Sequence, residues 1–284
     1  MALAKVTQDE TDARLASLSM PEGGWSAIAR RDALARVQSM GLPHRRDEYW
    51  KYTRPESLTS SDVIPAAVFE ASDEAPIFAT LDALNIVFVD GVFDADQSDD
   101  LAQTGLEIER LENAASADIH WAQDIYGTLE TAGQNPVKRP LAALNTAFAH
   151  DGILIRATTI VERPVNLTYI HKSDRSDAML HHVIKVEQGA KLTLLESGPA
   201  ASRFNKVMEV SVSDQGEFHH VRAQGRDHER RAVTHIFARL GEESVFKSFT
   251  LTANGVLTRN ECVLELTGDN AVAHIAGACV GDGE

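Results

Sequence analysis

Eleven histidines stand in this 284-residue chain, and two pairs of them, His181-His182 and His219-His220, raise metal binding as the first chemistry to consider. Both pairs fall in runs that alternate like β-strands. Successive strand residues point to opposite faces, so neither pair can close on one ion by itself. Metal chemistry would need histidines from separate strands stacked at one position. Measured from the nearest turn glycines, His219 and His220 face Leu192-Thr193, Ser244-Val245 and Ala271-Val272, which is no ladder of ligands. His235 and Cys262 do share an offset, each six residues before a glycine (Gly241 and Gly268), and are expected as neighbours on adjacent strands. Val183 and Val210 fall at the same offset, which favours an imidazole and a thiol packed among apolar side chains over a ligand pair.

The acidic stretch Asp94-Ala95-Asp96-Gln97-Ser98-Asp99-Asp100 opens like a calcium loop. Its sixth position is Asp99 where a glycine is needed, and its twelfth is Gly105 where a bidentate glutamate is needed, so it reads as a solvated loop. The patterns GxxxxGK[ST], GxGxxG and GxSxG do not occur, which leaves nucleotide cradles and a strand-turn nucleophile without a seat and assigns any ATP chemistry to a partner. Asn166-Leu167-Thr168 matches a glycosylation acceptor but lacks a secretory context. The densest motif is Leu42 to Thr53, LPHRRDEYWKYT, where a helix stop precedes alternating charges and aromatics. Nothing in it activates a nucleophile or a water. Trp50 and Tyr52 are expected to anchor a helical segment on the rest of the protein, with Arg45, Arg46 and Lys51 pairing to Asp47 and Glu48 at the surface.

These residues must be positioned by a mostly β framework. The first ~80 residues read as helical with a linker: Trp25, Ala29, Ala33, Val37 and Met40 recur at helical spacing, Gly41-Leu42-Pro43 supplies a stop, and residues 54–76 form a connector rich in Ser, Pro, Ala and acids. Asn85 to Phe93 reads as a hairpin around Asp90-Gly91, Leu106 to Leu111 as a short strand, and residues 114–131 and 140–150 as helices, the second opened by Pro140. From Gly152 onward nearly everything looks like strand. Pro164, Gly189, Gly216, Gly241 and Gly268 follow one another at 25, 27, 25 and 27 residues. A period near 26 suits two or three short strands per turn of a solenoid. A β-sandwich, with turns every 8–12 residues or so, would not require it. The expected fold is therefore mainly β: a right-handed parallel β-helix over residues 81–284 with helical insertions, preceded by a helical N-terminal domain and linker over residues 1–80.

Charge and composition bound the partners. With 27 basic and 42 acidic residues the chain carries −15, which repels nucleic-acid phosphates and anionic lipid. The N-terminus lacks the apolar core of a signal peptide, and no apolar run reaches the roughly 18 residues of a membrane span. Cys262 and Cys279 are too few for a disulfide framework and fit a reducing compartment, so the expected location is cytoplasmic.

The run LPxRxxExWKYT, carried by Leu42, Pro43, Arg45, Glu48, Trp50, Lys51, Tyr52 and Thr53, resembles the N-terminal signature of the SufB/SufD family of iron–sulfur cluster assembly proteins, and its WKYT element favours the SufD branch. Leu144-Asn145-x-x-Phe148 leading to Gly152, the segment HHVIKVEQGAKLTLLE, and Arg259-Asn260 followed by Leu266-x-Gly268-x-x-Ala271 and Gly277 agree in order and spacing, so the resemblance runs through essentially the whole chain. It implies a β-helix core working in a complex with a SufB-like paralogue and a SufC-like ABC-type ATPase. It also implies a scaffold and not an enzyme, with an iron–sulfur cluster held by the complex and no cofactor assigned to this chain alone. Family members continue beyond Glu284 through turns that pair with the paralogue and helices that dock on the ATPase. The chain is thus expected to be C-terminally incomplete and open to self-association at that end. The family's histidine implicated in assembly lies in that further part, so it maps to no residue here. Two rivals remain: a carbohydrate-active enzyme on a β-helix, which would need stacked carboxylates, and a structural β-solenoid such as an adhesin.

Overall fold

The computed structural model describes residues 5–68, 76–225 and 227–281; the connector expected over 54–76 therefore lies partly outside the described residues, as do the last three residues. In chain order the elements are α1 (Lys5–Ala16), α2 (Ala27–Met40), α3 (Glu56–Thr59), β1 (Leu84–Val89), β2 (Val92–Asp94), β3 (Leu106–Arg110), α4 (Leu111–Ala114), α5 (Thr128–Ala132) and α6 (Pro140–Phe148). Ten strands follow: β4 (Ile153–Ala157), β5 (Val165–Ile170), β6 (Asp177–Val186), β7 (Lys191–Ser197), β8 (Arg203–Val212), β9 (Glu217–Gln224), β10 (Arg231–Leu240), β11 (Val245–Ala253), β12 (Leu257–Leu266) and β13 (Val272–Val280). The expected hairpin forms from β1 and β2, with Asp90 and Gly91 both at positive φ.

From β4 onward the chain winds as a parallel solenoid of five coils. Each coil gives its even strand to one sheet (β3-β4-β6-β8-β10-β12) and its odd strand to the other (β2-β1-β5-β7-β9-β11-β13). Antiparallel β2 and β3 flank β1 and β4 at the first end. Equivalent residues on neighbouring coils differ by 26, 28 or 29 in the even sheet, as in Asp177↔Arg203, Arg203↔Arg231 and Leu154↔Val183. The period read from the glycines is therefore close to the true one, but the glycines are not its equivalent positions. The left-handed turn residue of successive coils is Gly189, Gln215, Glu243 and Asn270, at φ of 66, 59, 53 and 57°. These four are in register, and each of the first three donates its backbone N–H to the coil above, for example Gln215 N to Glu242 O at 2.7 Å.

Inside the coils the alternation is strict. Leu180, Ile184 and Val186 on β6, Leu192 and Leu194 on β7, Phe204, Met208, Val210 and Val212 on β8, and Phe218 on β9 fill the lumen with Leu84, Ile86 and Phe88 from β1. The outward face of the even sheet is covered by the helices. Gly152, at the entry to β4, lies so close to His181 that a Cβ there would meet its carbonyl oxygen at 1.9 Å, so the chain turns from helix to solenoid only through glycine.

Buried side chains tie the helices to one another and to the sheet. Arg30 on α2 donates to the Ala149 carbonyl after α6 (2.7 Å), Trp25 Nε1 to the Ala114 carbonyl (2.9 Å), and Asn145 Nδ2 to the Leu180 and Asn205 carbonyls of the sheet. Glu209, outward on β8 and buried, accepts from the Gly127 and Glu130 backbone N–H groups at 2.6 and 2.8 Å and contacts His181 Nε2 at 2.8 Å. Glu209→Ala strands two buried N–H donors and an imidazole, and is expected to lower unfolding stability by about 3 kcal/mol. Urea denaturation measures this, and an unchanged midpoint would mean that Glu209 does not hold the helical layer.

Candidate functional site in the solenoid lumen

The lumen changes character along its length at one register position. In the odd sheet, in-register inward residues run Ile86, Leu167, Glu196, Arg222, Thr250, Gly277. Across from them in the even sheet run Leu180, Lys206, Thr234, Asn260. Both rows pass from aliphatic, to charged, to small and polar.

Glu196 is the hub. Its carboxylate is fully buried and receives Lys206 Nζ (2.5 Å to Oε1), the Tyr169 hydroxyl (2.8 Å), and His220 Nε2 (3.0 Å), with Arg222 Nε at 3.7 Å. Burial alone would raise its pKa, but Lys206, His220 and Arg222 outweigh that and hold it well below the usual carboxylate range. Burial lowers Lys206 to about 7 against the pull of Glu196. His182 accepts the Ile153 N–H at Nδ1 (3.0 Å), so its proton sits on Nε2 and is donated to the Tyr169 oxygen (2.9 Å), whose own proton goes to Glu196. Burial, aided by the Lys206 charge, depresses His182 to about 3, so it stays neutral. The result is a directed chain, His182 to Tyr169 to Glu196, met from the other side by His220, which bonds Ser248 through Nδ1 at 2.9 Å. Chemically this set can hold charge and relay proton order, yet every acid or base in it is already engaged by another.

The histidine pairs behave as strand alternation requires: His182 and His220 face the lumen, whereas His181 meets Glu209 outside and His219 lies beside Glu217. Their cross-strand neighbours differ from those counted from glycines. His219 sits between Thr193 and Lys247, and His220 between Leu194 and Ser248. His235 and Cys262 are not neighbours either. His235 pairs with Glu261 and points outward, while Cys262 pairs with Ile236 and points inward. The β12–β13 turn (267–271) is one residue longer than the β10–β11 turn (241–244), so counting back from the turn slips the strand by one and reverses its faces. Burial pushes the Cys262 thiol up to about 12 and His235 down to about 4, Glu261 being held by Arg139 (2.7 Å) and Arg259 (2.5 Å).

Of the signature motif, Trp50 is the anchor. It is buried against Leu42, Leu58 and Val233, and Arg259 stacks 4.4 Å over its ring while donating to the Tyr49 carbonyl at 2.7 Å. Two motifs far apart in sequence thus meet in one contact. Pro43 is buried, and Thr53 Oγ1 donates to the Trp50 carbonyl at 3.3 Å. Tyr52 does not pack: it is 90% exposed, and Lys51 lies 5.4 Å over its ring. Arg45, Glu48 and Lys51 are exposed, and among the described residues Arg45, Arg46 and Lys51 form no ion pair with Asp47 or Glu48. The Asp94 loop folds on itself, with Asp94 accepting the Asp96 and Gln97 N–H groups at 3.1 and 3.0 Å.

One further cluster has the composition of a hydrolase triad: His171 bonds Asp227 through Nδ1 (3.0 Å) and lies 3.1 Å from Ser202 Oγ through Nε2. The same Nε2 lies 2.8 Å from the Ser173 carbonyl, which can only accept, and so must carry a proton. Burial opposes the imidazolium, but the bonds to Asp227 and Ser173 outweigh it and raise His171 above its usual pKa. With Ser202 fully buried, this is a loop latch and not an activated nucleophile. Sequence reading missed Glu196, Lys206 and Arg222, although the signal was present: each is a charged residue at the inward parity of a strand with Leu or Phe two or four positions earlier.

A depressed histidine pKa means that the unfolded chain binds more protons, so His235 contributes full stability above pH ~6.5 and loses it as pH falls toward its folded value. His235→Leu is expected to flatten the stability loss between pH ~6.5 and ~5 by about 2 kcal/mol. Urea titrations at the two pH values test this, and an unchanged slope would mean that the folded imidazole is protonated.

Residues 26–167 match the family model described as the SufBD protein N-terminal region, and residues 169–284 the model for the SUF system FeS cluster assembly SufBD core domain. The chain is 23% identical over 271 residues to the iron–sulfur cluster assembly protein SufD of Escherichia coli, covering 89% of this chain and 59% of that protein. It is 24% identical over 283 residues to an iron–sulfur cluster assembly SufBD family protein of Synechocystis sp., covering 90% and 61%. The chain thus spans about three-fifths of the length of these curated relatives. No helix among the described residues is long and apolar enough to cross a membrane. With both regional models matched in order, a parallel solenoid beneath them, and Trp50 and Arg259 joined across the two, the chain belongs to the SufB/SufD family.

Proposed function

We propose that this chain is a non-catalytic scaffold subunit in iron–sulfur cluster assembly, acting with a SufB-like paralogue and a SufC-like ATPase in the cytoplasm. The observation that carries this reading is the pair of family matches, over residues 26–167 and 169–284, which take in helices α2 to α6 and all five coils. The curated relatives are named as assembly proteins. The chemistry of the site supports the same role: the buried acids and bases of the lumen are spent on one another, which suits a rigid frame better than a turnover site. The cluster is cargo of the complex, and ATP hydrolysis belongs to the partner.

Co-expression with SufB-type and SufC-type proteins of the same genome tests this. The chain is expected to co-purify with the paralogue, and adding it should raise the yield of iron- and sulfide-dependent cluster on the complex. Absence of any complex, together with a cluster yield indifferent to its addition, would overturn the proposal.

A further inference from the structure

Residues 44–54 run against the charge of the rest of the chain. Arg45, Arg46, Lys51 and Arg54 stand there with only Asp47 and Glu48, in a chain whose overall balance is −15. All four cations are exposed, and among the described residues none of them forms an ion pair. Elsewhere the surface arginines are spent: Arg110, Arg139, Arg156, Arg163, Arg239 and Arg259 each hold a carboxylate. Two large aromatics share the same stretch. Tyr52 is 90% exposed and Tyr49 57%, and Lys51 Nζ lies 5.4 Å over the Tyr52 ring. A tyrosine ring left in water gains apolar contact when it is covered, and tyrosine and arginine are the residue types that carry binding energy at protein interfaces.

The backbone beneath these side chains is fixed before any partner arrives. Trp50 is buried, Arg259 stacks on its ring and donates to the Tyr49 carbonyl at 2.7 Å, and the Trp50 and Thr53 N–H groups donate to the Asp47 and Trp50 carbonyls at 2.9 and 3.0 Å. Asp47 is occupied as well, its carboxylate accepting the His44 N–H at 2.9 Å. An ordered backbone lowers the entropy lost on binding, so the free cations and tyrosines are presented ready for contact.

We infer that residues 44–54 form a docking surface for an acidic segment of a partner protein, with Arg45, Arg46, Lys51 and Arg54 donating to its carboxylates and Tyr49 and Tyr52 covering its apolar side chains. A nucleic acid fits less well. Its charge is continuous along the backbone and meets Asp47 and Glu48 locally and −15 overall, whereas carboxylates spaced along a peptide fall opposite the cations alone. The surface belongs to the helical segment and does not depend on the scaffold reading.

Fluorescence anisotropy tests it, with the purified chain titrated into a labelled peptide of repeating Glu-Glu-Leu, into its Gln-Gln-Leu counterpart and into a labelled thymidine oligonucleotide. The glutamate peptide is expected to bind saturably and more weakly as salt rises, with the glutamine peptide and the oligonucleotide about tenfold weaker. Arg45→Glu and Tyr52→Ser change exposed side chains, should leave Tm unchanged, and are each expected to weaken binding about fivefold. Arg175→Glu is the control: Arg175 is exposed on the β5–β6 turn without an ion pair among the described residues, and its reversal alters the net charge as Arg45→Glu does while leaving the affinity in place. Absence of binding, equal binding of the glutamine peptide or the oligonucleotide, or an Arg175→Glu loss equal to that of Arg45→Glu would overturn the inference.

Discussion

Parallel stacking in register forces every inward position of one coil to sit directly beside the equivalent inward position of the next, about 4.8 Å away. A polar side chain admitted to such a lumen has no route to water except along the axis, so it must be satisfied by neighbours in its own row or the row opposite. Glu196 shows how the chain meets that demand. Lys206 reaches it from the opposite sheet, Tyr169 from the coil before, and His220 from the coil after. Two of these partners are tied on in turn, Tyr169 through His182 to the Ile153 backbone and His220 to Ser248, so that the network spans several coils.

The outer face answers the same constraint in another way. Outward residues of the even sheet would meet solvent, but helices α3, α5 and α6 cover them, with α2 packed on α6, and polar side chains staple the two layers beside their apolar contacts. Asn145 spans the Leu180 and Asn205 carbonyls, and Glu209 holds the N-terminal turn of α5. Further along, the stack of Arg259 on Trp50 joins the helical segment to the fifth coil. The signature motif therefore serves to seat one layer on the other. Its exposed members, Arg45, Glu48, Lys51 and Tyr52, lie on the free surface of that junction.

Much of this was legible from residue order. The hairpin at Asp90-Gly91, the helix stop at Gly41, the helix opened by Pro140 and the coil period all follow from local chemistry that needs no tertiary knowledge. Register was harder, because turns can gain a residue without disturbing the strands. Gln215, Glu243 and Asn270 occupy the left-handed position that Gly189 holds in the second coil, so glycines mark the turns without marking equivalence. That slip made His235 and Cys262 look like neighbours when they lie on opposite faces. The Trp50–Arg259 contact spans most of the chain and leaves no local trace. The charged lumen was within reach, since Glu196, Lys206 and Arg222 break an apolar alternation at the inward parity, but only pairing in three dimensions shows that they meet.

The central claim is that the middle of the lumen stands on a mutually dependent buried pair. A double-mutant cycle on Glu196→Leu and Lys206→Met, read by equilibrium denaturation, tests it most directly. Each single substitution leaves a buried charge without its partner and is predicted to cost about 3–5 kcal/mol, with the double variant losing no more than either single. Additive losses would contradict the account, for they would mean that the two side chains do not depend on each other inside the coil.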